Sequence, residues 1–442
     1  MAEKGTKMTW TFDELKMWDD KICKIGEKYN LDWFPIDYEI IDYHEMIGAM
    51  AYTGMPTHYH HWSYGKSFER THQLYNLGME GLPYEMIINS NPSISYLMTE
   101  NPMSTHVLTM AHCVGHSDFF KNNRMFRHTN PDNVISKFKN AAKRVSKYVE
   151  NPAIGIDAVE HILDAAHALK YQMSREFNVK KLNPAQQRKK YLKILNDNPD
   201  NLPEGFDINK FPIERDYSVL EFIRDNSRNL EDWERDLISI VADEGKYFIP
   251  QAMTKIMNEG WASFWHYKIL HELDISQEYH MSFLKLHNQV IRPIVGRLNP
   301  YHLGFTIFNW IEKNLGLDHC FIARSSHNDE SFIRTYLNEE ICRDLNLFTY
   351  SKKRTEWSID DIADDDGWKS VREELIRNVG LGSLPQIYIE KVEKNHTLIL
   401  GHDHDGRDLD LNYAGKVCEH IVDLWGDDVK LFTIIEDEPF EI

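Results

Sequence analysis

The stretch Ala111-His112-Cys113-Val114-Gly115-His116 sets two histidines four residues apart inside an apolar run that includes Val107, Leu108, Met110, Val114, Phe119 and Phe120. The run reads as a helix, and at about 100° per residue positions i and i+4 lie one above the other on one face. Two imidazoles stacked in this way can bind one metal ion, as on the H-E-x-x-H helix of zincin-type hydrolases. Here Cys113 stands where that motif carries its glutamate. Cys113 also points about 100° away from the face the histidines share. The pattern therefore predicts a metal-binding helix that lacks the usual base. The competing reading makes His112 and His116 hydrogen-bonded core residues.

A zinc site needs a third protein ligand and an open position for water. Asn258-Glu259-Gly260-Trp261-Ala262 offers Glu259, in a helical, aromatic setting where an unpaired carboxylate is costly to bury. In some zinc hydrolase families a glutamate in a similar stretch supplies this ligand. The expected metal set is His112, His116 and Glu259, with ring nitrogens and a carboxylate oxygen converging to roughly 3–4 Å, and zinc is the expected cofactor. The base must come from elsewhere. Glu85, in Leu82-Pro83-Tyr84-Glu85-Met86, is the first candidate, because burial in an apolar segment would raise its pKa towards a useful range. His61 is the second, from a loop over 54–66 that also holds His58, His60, Trp62 and Tyr64. Either residue could instead complete the coordination shell. His266, two helical turns beyond Glu259, could support the site from behind. Two further polar groups have simpler readings: Glu160, Asp164 and His167 as a hydrogen-bonded polar helix face, and the tract Gly401 to Asp408 as an exposed polar loop.

Composition narrows the function classes. The formal net charge of −19 disfavours nucleic acid and anionic membranes as general partners. No apolar run of about 18 residues predicts a membrane span. The charged start of the chain lacks a signal core, so a cytoplasmic location is expected. Five dispersed cysteines without C-x-x-C spacing argue against a disulfide framework.

The patterning predicts an α+β protein: a large, mainly helical, metal-site-bearing domain over 1–316 and a small α+β domain over 317–442. Helices are expected over 11–29, 68–76, 103–123, twice within 131–180, over 230–272 and over 276–315 with breaks at Pro293 and Pro300. Residues 82–91 read as a strand and 93–98 as a short helix or turn. The polar stretch 181–228 reads as a surface insertion, and the acidic run 360–366 as a solvated loop. Near the end, strands over 386–392 and 397–400, a helix over 413–425 and a strand over 429–435 complete the pattern.

Several longer motifs run through the chain. They are His60-His61-Trp62-Ser63-Tyr64-Gly65-Lys66-Ser67-Phe68-Glu69, Leu82 to Pro92, Ala111-His112 with Gly115-His116, and Asp118-Phe119-Phe120-Lys121-Asn122-Asn123. Asn258 to Ala262, Asn299-Pro300-Tyr301-His302-Leu303-Gly304-Phe305 and Asn328 to Leu337 follow. Together they resemble the SpoVR family, the stage V sporulation protein R group, over nearly the whole chain. The resemblance implies a role in sporulation, in forming the spore cortex, a peptidoglycan layer. Relatives in organisms that make no spores extend this to a general envelope or stress role. The family name describes a phenotype and leaves the reaction open. Two functions are carried forward. One is a zinc-dependent hydrolase of amide or peptide bonds in a peptidoglycan-related substrate. The other is a non-enzymatic assembly or regulatory protein that binds a partner protein through its C-terminal domain.

Overall fold

Thr11 opens the first helix, α1 (Phe12–Lys28), through a capping box: its hydroxyl accepts from the Glu14 N–H, and the Glu14 carboxylate accepts from the Thr11 N–H. β1 (Ile36–Ile41) follows, then α2 (Tyr43–Ala51), whose cap Asp42 pairs with Glu45 in the same way. Next come α3 (Trp62–Asn76), β2 (Met86–Ile88), β3 (Ser93–Met98), α4 (Met103–Asn122), α5 (Val134–Glu150), α6 (Gly155–Ala168), α7 (Pro184–Asp197) and α8 (Val219–Asn226). The chain continues with α9 (Asp232–Met253), α10 (Lys255–Glu272), α11 (Gln277–Ile291), α12 (Pro300–Leu315), α13 (Leu317–Ser326), α14 (Asp329–Tyr336) and α15 (Glu339–Asp344). It ends with β4 (Phe348–Lys353), β5 (Glu356–Ile362), α16 (Gly367–Asn378), β6 (Ile387–Val392), β7 (Leu398–His402), α17 (Leu411–Trp425), β8 (Val429–Ile435) and β9 (Glu438–Glu441). The fold is α+β and mostly helical before its last strands. This computed structural model describes residues 10–79, 81–175, 182, 184–197, 214–293, 298–353, 356–362 and 367–442.

Contacts divide the chain into two compact units, one of residues 1–147 and 247–383, the other of 148–246 and 384–442. At the centre of the first unit lies α4, with nearly every side chain from Met103 to Phe120 buried. A helix apolar all round belongs inside a core. α10 packs along it, and the approach is set by glycine. A Cβ built on Gly115 would fall 2.7 Å from the Ala262 Cα, and one on Gly260 would fall 2.4 Å from the Gly304 backbone of α12. α10 is therefore clasped between α4 and α12 at near backbone contact. Beside them β1, β3 and β2 form a sheet in that order, with β1 parallel and β2 antiparallel to β3. In the second unit β6, β7, β8 and β9 form a sheet, and α17 supplies the crossover that the parallel pair β7–β8 requires.

Three expectations differ from the structure. Residues 93–98 form a strand, because Ser93 to Met98 pair in full register with Ile36 to Ile41. The expected loop over 54–66 turns helical at Trp62, where His61 caps α3 by accepting from the Ser63 N–H. Asp360, Asp361 and Ile362, expected in a solvated loop, form the end of β5. Residues 198–213 of the polar stretch, and 363–366 of the acidic run, lie outside the described residues.

The clasp is testable. Gly260→Ala is expected to destabilise the chain by about 1–3 kcal/mol or more through overpacking against backbone. Gly415→Ala, in α17 with open space around its Cα, is expected to stabilise by about 0.5–1 kcal/mol. Chemical denaturation of the two variants checks both. Equal, small effects would contradict the packing described.

Candidate metal centre

α4 carries His112 and His116 on one face, with ring centroids 4.6 Å apart. Glu85 reaches them from the segment just before β2. That segment is pinned to α4 by the Thr109 hydroxyl, which donates to the Tyr84 carbonyl at 3.2 Å. Glu259 comes from the second turn of α10. The start of α10 is held by Asp329, whose carboxylate accepts from the Ile256 and Met257 N–H groups at 2.9 Å each. Trp261, one turn on, donates to Asp118 of α4 at 2.8 Å and fixes the rotation of α10 against it.

The four side chains offer one donor atom each, all within 4.8 Å of one another. His112 Nε2 lies 3.1 Å from a Glu85 oxygen and 3.8 Å from a Glu259 oxygen. His116 Nε2 lies 3.8 Å and 3.4 Å from the same two carboxylates. Four donors placed about 2.0–2.2 Å from one tetrahedral ion stand about 3.3–3.6 Å apart. The observed spacings scatter around that value. His112 Nε2 and the Oε2 atoms of Glu85 and Glu259 are also buried without a well-formed hydrogen bond. Buried polar atoms are rarely left so, and a cation at their common centre would satisfy all of them. The residues fit a divalent ion.

Behind the site, α10 holds both imidazoles by their far nitrogens. Asn258 Oδ1 accepts from His116 Nδ1 at 2.8 Å, and His266 Nδ1 meets His112 Nδ1 at 2.7 Å. With Nδ1 engaged, Nε2 is the nitrogen turned towards the carboxylates. Tyr301, at the start of α12, donates its hydroxyl to Glu85 at 3.4 Å. Burial, and then the Glu259 and Glu85 charges, push that phenol far up, so it stays a donor.

The charged groups of the cluster shift one another. Burial alone would lower the His116 pKa, but the Glu259 and then the Glu85 carboxylate facing its ring outweigh it and push it up to about 10. Burial alone would raise Glu259, yet the His112 and His116 imidazoles facing it hold it well below the carboxylate range. The same contest, led by the His112 charge, lowers Glu85. This reverses the expectation that burial would raise Glu85, because two imidazoles face it.

The structure brings His112, His116, Glu259 and Glu85 together. His61 is not one of the four; its Nδ1 is engaged with Ser63 at the start of α3. Cys113 turns away to Ser95, 3.2 Å off, and burial pushes its thiol up. Glu160, Asp164 and His167 lie on α6, outside the cluster. In the 401–408 tract His402 pairs with Thr433 and His404 with Asp408. Sequence shows Tyr301 only as part of the Asn299 to Phe305 motif and gives no signal for His287. The Asn-Pro start of a helix, which places Tyr301 in its first turn, was the available signal for the former.

The model for the SpoVR like proteins matches residues 9–384, and that for the SpoVR-like C-terminal domain matches 385–436. The chain belongs to the SpoVR family. The family's name implies a role in sporulation. A curated relative from Escherichia coli (strain K12), the uncharacterized protein YcgB, is 33% identical over 483 residues, covering 98% of this chain and 94% of the relative. No solved structure matches the chain. Among the described residues no helix is long and apolar enough to cross a membrane.

Without metal, the His116 contribution to stability is fully present below its unfolded value of about 6.5 and is lost as pH rises through about 10. The Glu259 contribution runs the other way: present above about 4.5 and lost as pH falls. Proton-detected titration of the imidazoles in chelator-treated protein should find His116 still charged at pH 8. A midpoint near 6.5 would contradict the pairing.

Proposed function

We propose that this SpoVR-family chain is a metal-dependent hydrolase of amide or peptide bonds in a peptidoglycan-related substrate, acting in spore cortex formation. The observation that carries the reading is the convergence of two imidazole nitrogens and two carboxylate oxygens, from three separated segments, on one buried point. His112, His116 and Glu259 would hold the cation, with zinc the best match to two nitrogens and a carboxylate. When bound, such an ion acidifies a water and polarises a carbonyl. Glu85, held below the usual carboxylate range by the imidazoles facing it, would take the proton of the attacking water. Tyr301, whose hydroxyl donates to Glu85, would orient that carboxylate. This reading gives the proton to Glu85 and leaves His61 with its cap.

A second reading has one observation in its favour. Glu85 approaches His112 Nε2 more closely than Glu259 does, at 3.1 Å against 3.8 Å. As a fourth ligand it would close a tetrahedral site, and closed sites are structural. The chain would then be a non-enzymatic assembly or regulatory protein, with a partner protein bound through its C-terminal part.

Elemental analysis of chain purified without chelators should find about one equivalent of zinc, and His116→Ala should abolish it. Less than about a tenth of an equivalent of any transition metal would overturn both readings. Glu85→Gln separates them. In the hydrolase it keeps its metal and loses release of peptides or amines from purified muropeptides, followed by mass spectrometry. In the closed site it loses the metal.

A further inference from the structure

The imidazole behind His112 does not end the network. His266 meets His112 through Nδ1 at 2.7 Å and meets Nδ1 of His287, on α11, through Nε2, also at 2.7 Å. His112 and His266 are fully buried and His287 is 2% exposed. A neutral imidazole has one N–H and one lone pair. Both nitrogens of His266 are used, so the three rings must donate in one direction along the chain.

Resting on the metal reading above, we infer that His266 and His287 are positioning residues which lock His112 in the tautomer that a metal ligand requires. A cation at His112 Nε2 takes the lone pair there and leaves the proton on Nδ1. Donation then runs outward: His112 Nδ1–H to His266 Nδ1, and His266 Nε2–H to His287 Nδ1. His116 needs no such chain, because Asn258 Oδ1 can only accept. An imidazole acceptor is ambivalent, and His287 removes the ambiguity by taking the proton of His266. One helix thus supplies a ligand, Glu259, and both outer acceptors, Asn258 and His266, within about two turns.

Zinc affinity of the full chain, measured by competition with a chromophoric chelator, tests this. His266→Leu leaves the buried His112 Nδ1–H without an acceptor and should weaken zinc about 10–100-fold. His266→Gln keeps an acceptor for His112 and a donor for His287 and should recover most of that loss. His287→Leu should fall between them. The 15N imidazole spectrum of the zinc-loaded wild type should show His112 protonated at Nδ1 and His266 protonated at Nε2. A folded His266→Leu variant with wild-type affinity, or His266 protonated at Nδ1 with zinc bound, would overturn the inference. If His266→Leu does not fold, the glutamine variant and the wild-type spectrum decide. Wild-type chain that binds no zinc would overturn the metal reading itself; zinc-binding wild type with indifferent variants would overturn only the histidine chain.

Discussion

Where Gly260 meets Gly304, two helix backbones touch with no side chain between them, and Gly115 lets Ala262 come as close on the opposite side. The cluster depends on this clasp. A carboxylate on α10 can meet imidazoles on α4 only if the helices stand nearer than two ordinary side-chain layers allow. Asp118 with Trp261, and Asp329 with the first N–H groups of α10, then fix rotation and height. Steric intimacy sets the distance, and directional hydrogen bonds set the phase.

The helical part of this arrangement was legible in the sequence for a simple reason. Histidines four apart in an apolar run have one helical solution, and the N-E-G-W-A stretch places a carboxylate where burial demands a partner. Helices α4 and α17 lie within two residues of their expected spans, whereas the expected stretch over 230–272 divides at Thr254 into α9 and α10. β1 and β3 were less visible because their pairing is parallel and non-local. Ser93-Ile94-Ser95-Tyr96 carries too short an alternation to separate a strand from a turn until Ile36 to Ile41 lies beside it. The roles of His287 and Tyr301 are not legible for a related reason. Each is ordinary in its own helix and acquires meaning only across a helix–helix contact.

Glu85 illustrates how environment can invert a residue-level argument. An apolar surrounding by itself disfavours a charged carboxylate. The same burial brings His112 and His116 within reach, and in a poorly solvated interior their attraction outweighs the desolvation. The sign of the shift therefore belongs to the cluster rather than to the segment that carries Glu85.

The donors also come from stretches that are remote along the chain: one before β2, two on α4 and one on α10. An unfinished chain, with β2 or α10 undocked, presents an incomplete chelate with little hold on a cation. In the proposed reading the ion consequently distinguishes completed molecules from partly assembled ones. Because it favours only the completed state, its free concentration adds to the drive towards that state. The centre would then serve as a fastener that engages last and keeps three separately formed pieces from drifting apart.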